Sequence, residues 1–173
     1  MNAASPAASD DLPILYQDDA IVVVNKPSGL LVHRSPIDRH ETRFAVQLLR
    51  DKLGRHVFPV HRLDKGTSGA LAFALDKATA TALAEQFAGK QVRKTYVAIV
   101  RGWPQAEGVI DHPLDAVQDA YAPTADSAPK PCRTTFRTLA TVELPVRVDR
   151  YPTSRYALVE LEPGEAGDVG DVV

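Results

Sequence analysis

The feature that most restricts this chain is His61-Arg62-Leu63-Asp64-Lys65-Gly66-Thr67-Ser68-Gly69, which sets an imidazole, a guanidinium and a carboxylate within four residues and then supplies turn chemistry. Val57-Phe58-Pro59-Val60 leads in and Ala70-Leu71-Ala72-Phe73-Ala74-Leu75 leads out, both apolar enough for buried strands. Charges held between two core-directed segments are costly unless they pair or do chemistry. Two readings follow. Either Arg62 and Asp64 merely fasten a loop, or Arg62 keeps Asp64 ionised as a nucleophile or general base. In both, Gly66 and Gly69 permit a tight backbone that the Thr67 or Ser68 hydroxyl braces.

A chain of 173 residues, 45% hydrophobic, is long enough for one domain with a real core and short for two. Its net charge of −2 argues globally against a nucleic-acid partner, but the charge is unevenly spread. From Lys26 to Arg101 there are 14 Lys and Arg against 6 Asp and Glu, a balance of +8 that leaves −10 on the flanks. That basic middle either meets phosphate or is ordinary solvated surface with acidic flanks folded against it. The single cysteine, Cys132, forms no internal disulfide, and no Cys/His cluster has metal-ligand spacing. A reducing compartment without a structural metal is the expectation. His33 and His61 have no spacing that would bring them to a metal with Asp64. Residues 1–11 lack a basic n-region and an apolar h-region, and no stretch approaches a membrane span, which predicts a cytoplasmic protein without membrane contact.

Taken in order, residues 1–11 offer nothing to bury and read as a disordered leader. Ile14-Leu15-Tyr16 and Ile21-Val22-Val23-Val24 predict a hairpin turned at Asp18-Asp19. Lys26-Pro27-Ser28-Gly29 turns the chain before Leu30-Leu31-Val32 extends again. Phe44, Ala45, Leu48, Leu49 and Leu53 recur at helical spacing, predicting a helix over 41–53 capped by Gly54, with Arg43, Arg50 and Lys52 outward. A second helix is predicted over 77–88, with Asp76 as N-cap, Ala80, Leu83, Ala84 and Phe87 as its buried stripe, and Gly89 at its end. Residues 94–101 alternate as a strand with Thr95, Val97 and Ile99 on one side and Tyr96, Ala98 and Val100 on the other. Val109-Ile110 is a short strand and 115–131 a polar excursion; strand pattern returns at 132–137, 139–144 and 156–161. The fold class is α/β (α+β), built on a mixed, largely antiparallel sheet with flanking helices.

Three segments together resemble the RluA family of pseudouridine synthases: His61-Arg62-Leu63-Asp64 with Thr67-Ser68-Gly69, the upstream Asn25-Lys26-Pro27-Ser28-Gly29-Leu30-Leu31-Val32-His33, and the downstream Lys94-Thr95-Tyr96-Val97-Ala98-Ile99-Val100-Arg101-Gly102. The resemblance implies an isomerase that breaks the uridine N1–C1′ bond, turns the uracil and rejoins it through C5, with no cofactor and no metal. It makes Asp64 the catalytic residue, attacking C1′ or taking a proton from the sugar, two routes the sequence leaves open. Tyr96 lies against the target uracil, a role with a physical basis in base–aromatic stacking, although a half-buried strand aromatic is the plainer reading. Arg62 fills the vacated base stack or clamps a phosphate, while His61 and Thr67 support the substrate loop. The partner is then RNA and the protein a monomer. Segments 33–39 and 150–163 resemble the tRNA-modifying branch, with ribosomal RNA as the alternative.

The resemblance covers residues 12–163, expected to form an incomplete catalytic domain. Beyond Pro163 the family continues with a Thr-Gly-Arg-x-His-Gln-Leu-Arg-type segment, which carries a basic partner for the catalytic Asp, whereas here a Gly- and Asp-rich stretch occupies 164–173. The expectation is a truncated or frame-shifted product, whose alternative function is RNA binding without conversion. A glycosidase reading ranks last, because no second carboxylate occupies a comparable turn.

Overall fold

The computed structural model describes residues 12–34, 40–114, 129, 131–148 and 150–164. The expected leader over 1–11, most of the 115–131 excursion and nearly all of the 164–173 tail lie outside the described residues. The chain divides into two compact units, one ending at Val92 and the other beginning at Arg93.

In the first unit, β1 (Ile14–Gln17), β2 (Ile21–Lys26), β3 (Phe58–Pro59) and β4 (Gly69–Ala74) form an antiparallel sheet in the order β1-β2-β4-β3. The predicted hairpin closes because the Asp18 carboxylate accepts from the backbone N–H of Ala20 and Ile21 at 2.8 and 2.7 Å. Strand β2 alternates strictly, burying Val22, Val24 and Lys26. Their register partners on β4 are Phe73, Leu71 and Gly69. Two of these pairs are apolar columns of the core, each buried side chain contributing about 1.5–3 kcal/mol. The third places a lysine stem opposite a residue without a side chain.

Helix α1 (Ala45–Leu53) buries Ala45 and Leu49 and ends at Gly54 in the left-handed conformation that glycine adopts freely. It begins four residues later than the predicted Glu41, because Phe44 is extended and bridges Leu31. Arg43 therefore precedes the helix and is half-buried instead of projecting from it. Helix α2 (Lys77–Ala88) matches its predicted bounds, with Asp76 accepting from the Thr79 backbone N–H at 2.9 Å and the Thr79 hydroxyl at 2.6 Å. Its apolar stripe is only half-buried, and Ala84 is exposed.

In the second unit, β5 (Tyr96–Arg101), β6 (Glu107–Asp111), β7 (Arg133–Leu144) and β8 (Ser154–Pro163) form an antiparallel sheet in the order β5-β8-β7-β6. The sequence pattern predicts two strands over 132–144, but a register shift between Thr138 and Ala140 carries one strand through both runs. Alternation along β5 is as predicted: Tyr96, Ala98 and Val100 are half-buried, Val97 and Ile99 exposed. The core of this unit gathers on the side of Ala157 and Val159, the register partners of Val100 and Ala98.

Candidate active site

Asp64 sits in the connection between β3 and β4, at the first position of a tight turn closed by the Thr67 N–H donating to the Asp64 carbonyl at 3.1 Å. Two apolar anchors, Val60 and Leu63, are buried on either side of His61 and Arg62, so the polar side chains between and after them are pushed to the surface of the unit. The Arg62 Nη2 lies 3.6 Å from Asp64 Oδ1, with the arginine side chain 66% exposed and the aspartate 30%. The carboxylate is thus partly shielded and paired with a largely exposed cation. Such a pair contributes at most about 1 kcal/mol to stability, which leaves Arg62 cheap to move when another anion arrives.

His61 is placed differently. Its Nε2 accepts the backbone N–H of Ala72 at 3.0 Å, and its ring stacks on Phe87 of α2 with centroids 4.5 Å apart. The imidazole thereby joins the site strand to the helix. Thr67 contributes its backbone to the turn, and Lys65 pairs with Glu41 at 2.6 Å.

The residue missing from the sequence-based site is Lys26. It is fully buried, yet its Nζ donates to the carbonyls of Leu30 at 2.7 Å, Pro27 at 3.1 Å and Lys65 at 3.4 Å. Around it the two loops are joined again, by Gly29 N–H to the Lys65 carbonyl at 2.7 Å and by the Ser28 hydroxyl to the Gly66 carbonyl at 2.8 Å. Burial pulls the Lys26 ammonium down from the usual 10.5 to about 8, an effect opposed by the nearby Asp64 carboxylate. The Asn25–Gly29 segment is therefore a clamp on the Asp64 turn. The signal was present in the sequence: period-two burial of Val22 and Val24 carries directly to position 26.

Of the residues singled out, the fold brings His61, Arg62, Asp64 and Thr67 into one loop of the first unit. Tyr96 opens β5 of the second unit, half-buried and in register with Leu161. Among the described residues, no group of three His, Cys, Asp or Glu side chains is arranged to hold a metal ion, and no helix is long and apolar enough to cross a membrane.

Comparison with known proteins places the chain in a family. Residues 20–166 match the model of the RNA pseudouridylate synthase family. The chain is 53% identical over 156 residues to tRNA pseudouridine synthase C of Pasteurella multocida, covering 88% of this chain and 64% of that protein. It is 48% identical over 156 residues to the protein of the same name from Vibrio cholerae, with the same two coverages. Among solved structures it resembles Human RNA Pseudouridylate Synthase Domain Containing 1, with a TM-score of 0.71 and 26% identity over 98% of this chain and 65% of that one. Human RNA Pseudouridylate Synthase Domain Containing 4 gives a TM-score of 0.63 and 30% identity over 87% of this chain and 58% of that one. The chain spans less than two thirds of the length of these relatives. The aspartate turn lies inside the matched region, and with residues 20–166 of the 173 matched, the chain belongs to the RNA pseudouridylate synthase family.

Proposed function

We propose that this chain carries the catalytic aspartate of an RNA pseudouridine synthase that converts a uridine of tRNA to pseudouridine. One observation carries the reading: Asp64 is held by its backbone in a turn fastened from below by a buried lysine, while its carboxylate stays accessible beside Arg62. A structural ion pair has no need of that fastening. An anion that must meet a ribose at a fixed distance does.

In this reading Asp64 supplies the anionic group the glycosidic bond requires, either bonding to C1′ or removing a sugar proton. Uridine inside a stacked loop must first be extruded, and Arg62, two thirds exposed and weakly held, is suited to occupy the gap or bind a phosphate. Tyr96 contacts the uracil ring. His61 and Thr67 act on the loop more than on the nucleoside, since the His61 Nε2 and the Thr67 N–H are bonded to backbone. The choice of tRNA over ribosomal RNA is supported by the names of the relatives about 50% identical to this chain. The protein works as a monomer in the cytoplasm, where tRNA is found.

The reading is tested by incubating the chain with unmodified tRNA and with ribosomal RNA and mapping pseudouridine in both. Pseudouridine at one tRNA position supports it. Modification of ribosomal RNA alone would shift the substrate, and modification of neither would remove the activity.

A further inference from the structure

We infer that one end of the second unit's sheet, where Trp103, Arg155 and the Arg150–Tyr151 tip meet, is a docking surface for an unpaired stretch of RNA. A base stacks there on the indole while arginines take the flanking phosphates. The inference rests on the reading that RNA is the substrate, and adds a contact surface on the second unit to it.

Trp103 is the chain's single tryptophan, and it is 47% exposed. Leaving half an indole in water forfeits part of the largest apolar contribution any side chain can make, so its surroundings matter. Gly102, at φ +96, takes the chain out of β5, and the Trp103 Nε1 then donates to the Val142 carbonyl at 3.3 Å. The Arg155 guanidinium lies 4.4 Å from the ring centroid. That guanidinium is itself steered: Arg155 Nε pairs with Glu143 at 3.3 Å, and Glu143 accepts from the Thr153 hydroxyl at 2.6 Å. The indole is thus fixed in orientation by a hydrogen bond at its edge and a braced cation.

A second aromatic–arginine pair stands on the turn between β7 and β8. Reciprocal backbone hydrogen bonds of 3.1 Å between Val148 and Tyr151 close that turn. Arg150 sits 5.2 Å from the Tyr151 ring centroid and donates to its hydroxyl at 3.1 Å, and the ring is 50% exposed. The register puts all of this at one end, since Arg101 pairs with Tyr156, and Glu143 and Leu144 with Arg155 and Ser154. Over 143–155, together with Arg101, the sequence has four arginines against Glu143 and Asp149. Asp149 lies outside the described residues.

Planar aromatics interleaved with guanidinium groups are what a single-stranded nucleic acid recognises, because every base has a stacking face and every linkage a phosphate. A paired helix hides its base faces, so the partner is a loop or an unpaired end. An apolar protein surface would have no use for the arginines. Val142, Leu144 and Val146 are exposed at the same end, so the surface is mixed aromatic, aliphatic and cationic, and it is the rings and guanidinium groups that a base and its phosphates engage.

Because Trp103 is the sole tryptophan, its emission reports this surface directly. Titrating the chain with an unmodified tRNA transcript at low salt should quench the emission saturably, with the midpoint seen by filter binding. Trp103→Ala should weaken filter binding roughly ten- to a hundredfold, and Trp103→Phe, which keeps a stacking ring, much less. Arg155→Gln should weaken binding and flatten its salt dependence. Asp64→Asn should leave the quenching intact. RNA bound on filters with unchanged emission, and bound as tightly by Trp103→Ala, would overturn the docking surface while leaving the family reading in place. Absence of RNA binding by either method would overturn the docking surface and the proposed RNA substrate together. Should Trp103→Ala fail to melt cooperatively, the quenching and the Phe variant decide the matter.

Discussion

The Nζ of Lys26 donates to the carbonyl oxygen of Lys65 at 3.4 Å, so a fully buried cation holds the backbone carbonyl of the residue that follows Asp64. The same ammonium serves Leu30 and Pro27 at shorter range, using all three of its N–H donors. A neutral amine has only two. When Lys26 loses its proton, the longest of the three bonds is the one surrendered, and that bond is the one to the Asp64 turn.

Turnover is therefore expected to fall on the alkaline side with a midpoint near the Lys26 value of about 8. Stability responds with the opposite sign. The folded value lies below the unfolded 10.5, so between about pH 8 and 10.5 the unfolded chain holds the extra proton and this group's contribution to stability rises with pH. A pH–rate profile measured beside thermal melts should show activity declining where Lys26 does not weaken the fold. Lys26→Met should lower turnover and erase the alkaline limb; a limb unchanged in that variant would assign it to another group.

Gly69 and Gly66 separate backbone strain from steric space. Neither has an atom within 4 Å of where a Cβ would sit, but Gly69 lies at φ +126, where side-chain-bearing residues are strained. Gly69→Ala should cost about 1–3 kcal/mol in chemical denaturation, and Gly66→Ala should be close to neutral. Equal effects would show that the turn tolerates a rotated backbone.

Replacing His61 by Leu keeps apolar contact with Phe87 but leaves the Ala72 N–H without its acceptor. The expected loss is about 1–3 kcal/mol of stability, the usual cost of stranding a part-buried donor. Substrate affinity per folded molecule should change little, which binding measured below the melting transition would check.

The N-cap of α2, twelve residues after Asp64, gives a cleaner stability probe. Thr79 side-chain and backbone hydrogen bonds hold the Asp76 carboxyl below its ordinary value. Its contribution is complete above the usual carboxylate range and is lost as pH falls through the lowered value. Asp76→Ala should reduce the melting temperature by roughly 2–4 °C at neutral pH and by less in acid, with turnover unaffected.

Much of this was legible in the sequence because local rules governed it. Alternation gave β2 and β5, while Asp76, Gly54 and Gly89 marked helix ends by capping chemistry alone. What escaped depended on distant partners. The late start of α1 comes from the bridge between Phe44 and Leu31, which no window around residue 41 contains. The 133–144 strand looked like two because the shift near Leu139 reverses the alternation within one continuous ladder. The His61-to-Asp64 loop was recognisable from its residue types, but Lys26 was read as the approach to a proline turn. Its burial shows only when the β2 pattern is carried one residue further and its three carbonyl acceptors are in view.

In the proposed reading Asp64 does the chemistry and the surrounding clamp only presents it. Tritium release from tRNA labelled at uridine C5 measures this most directly, comparing the native chain with Asp64→Asn, a substitution that keeps the shape of the side chain and removes its charge. Release from the variant is expected to fall by several orders of magnitude, with its melt and its RNA binding preserved. Release at an undiminished rate from the folded variant would contradict it.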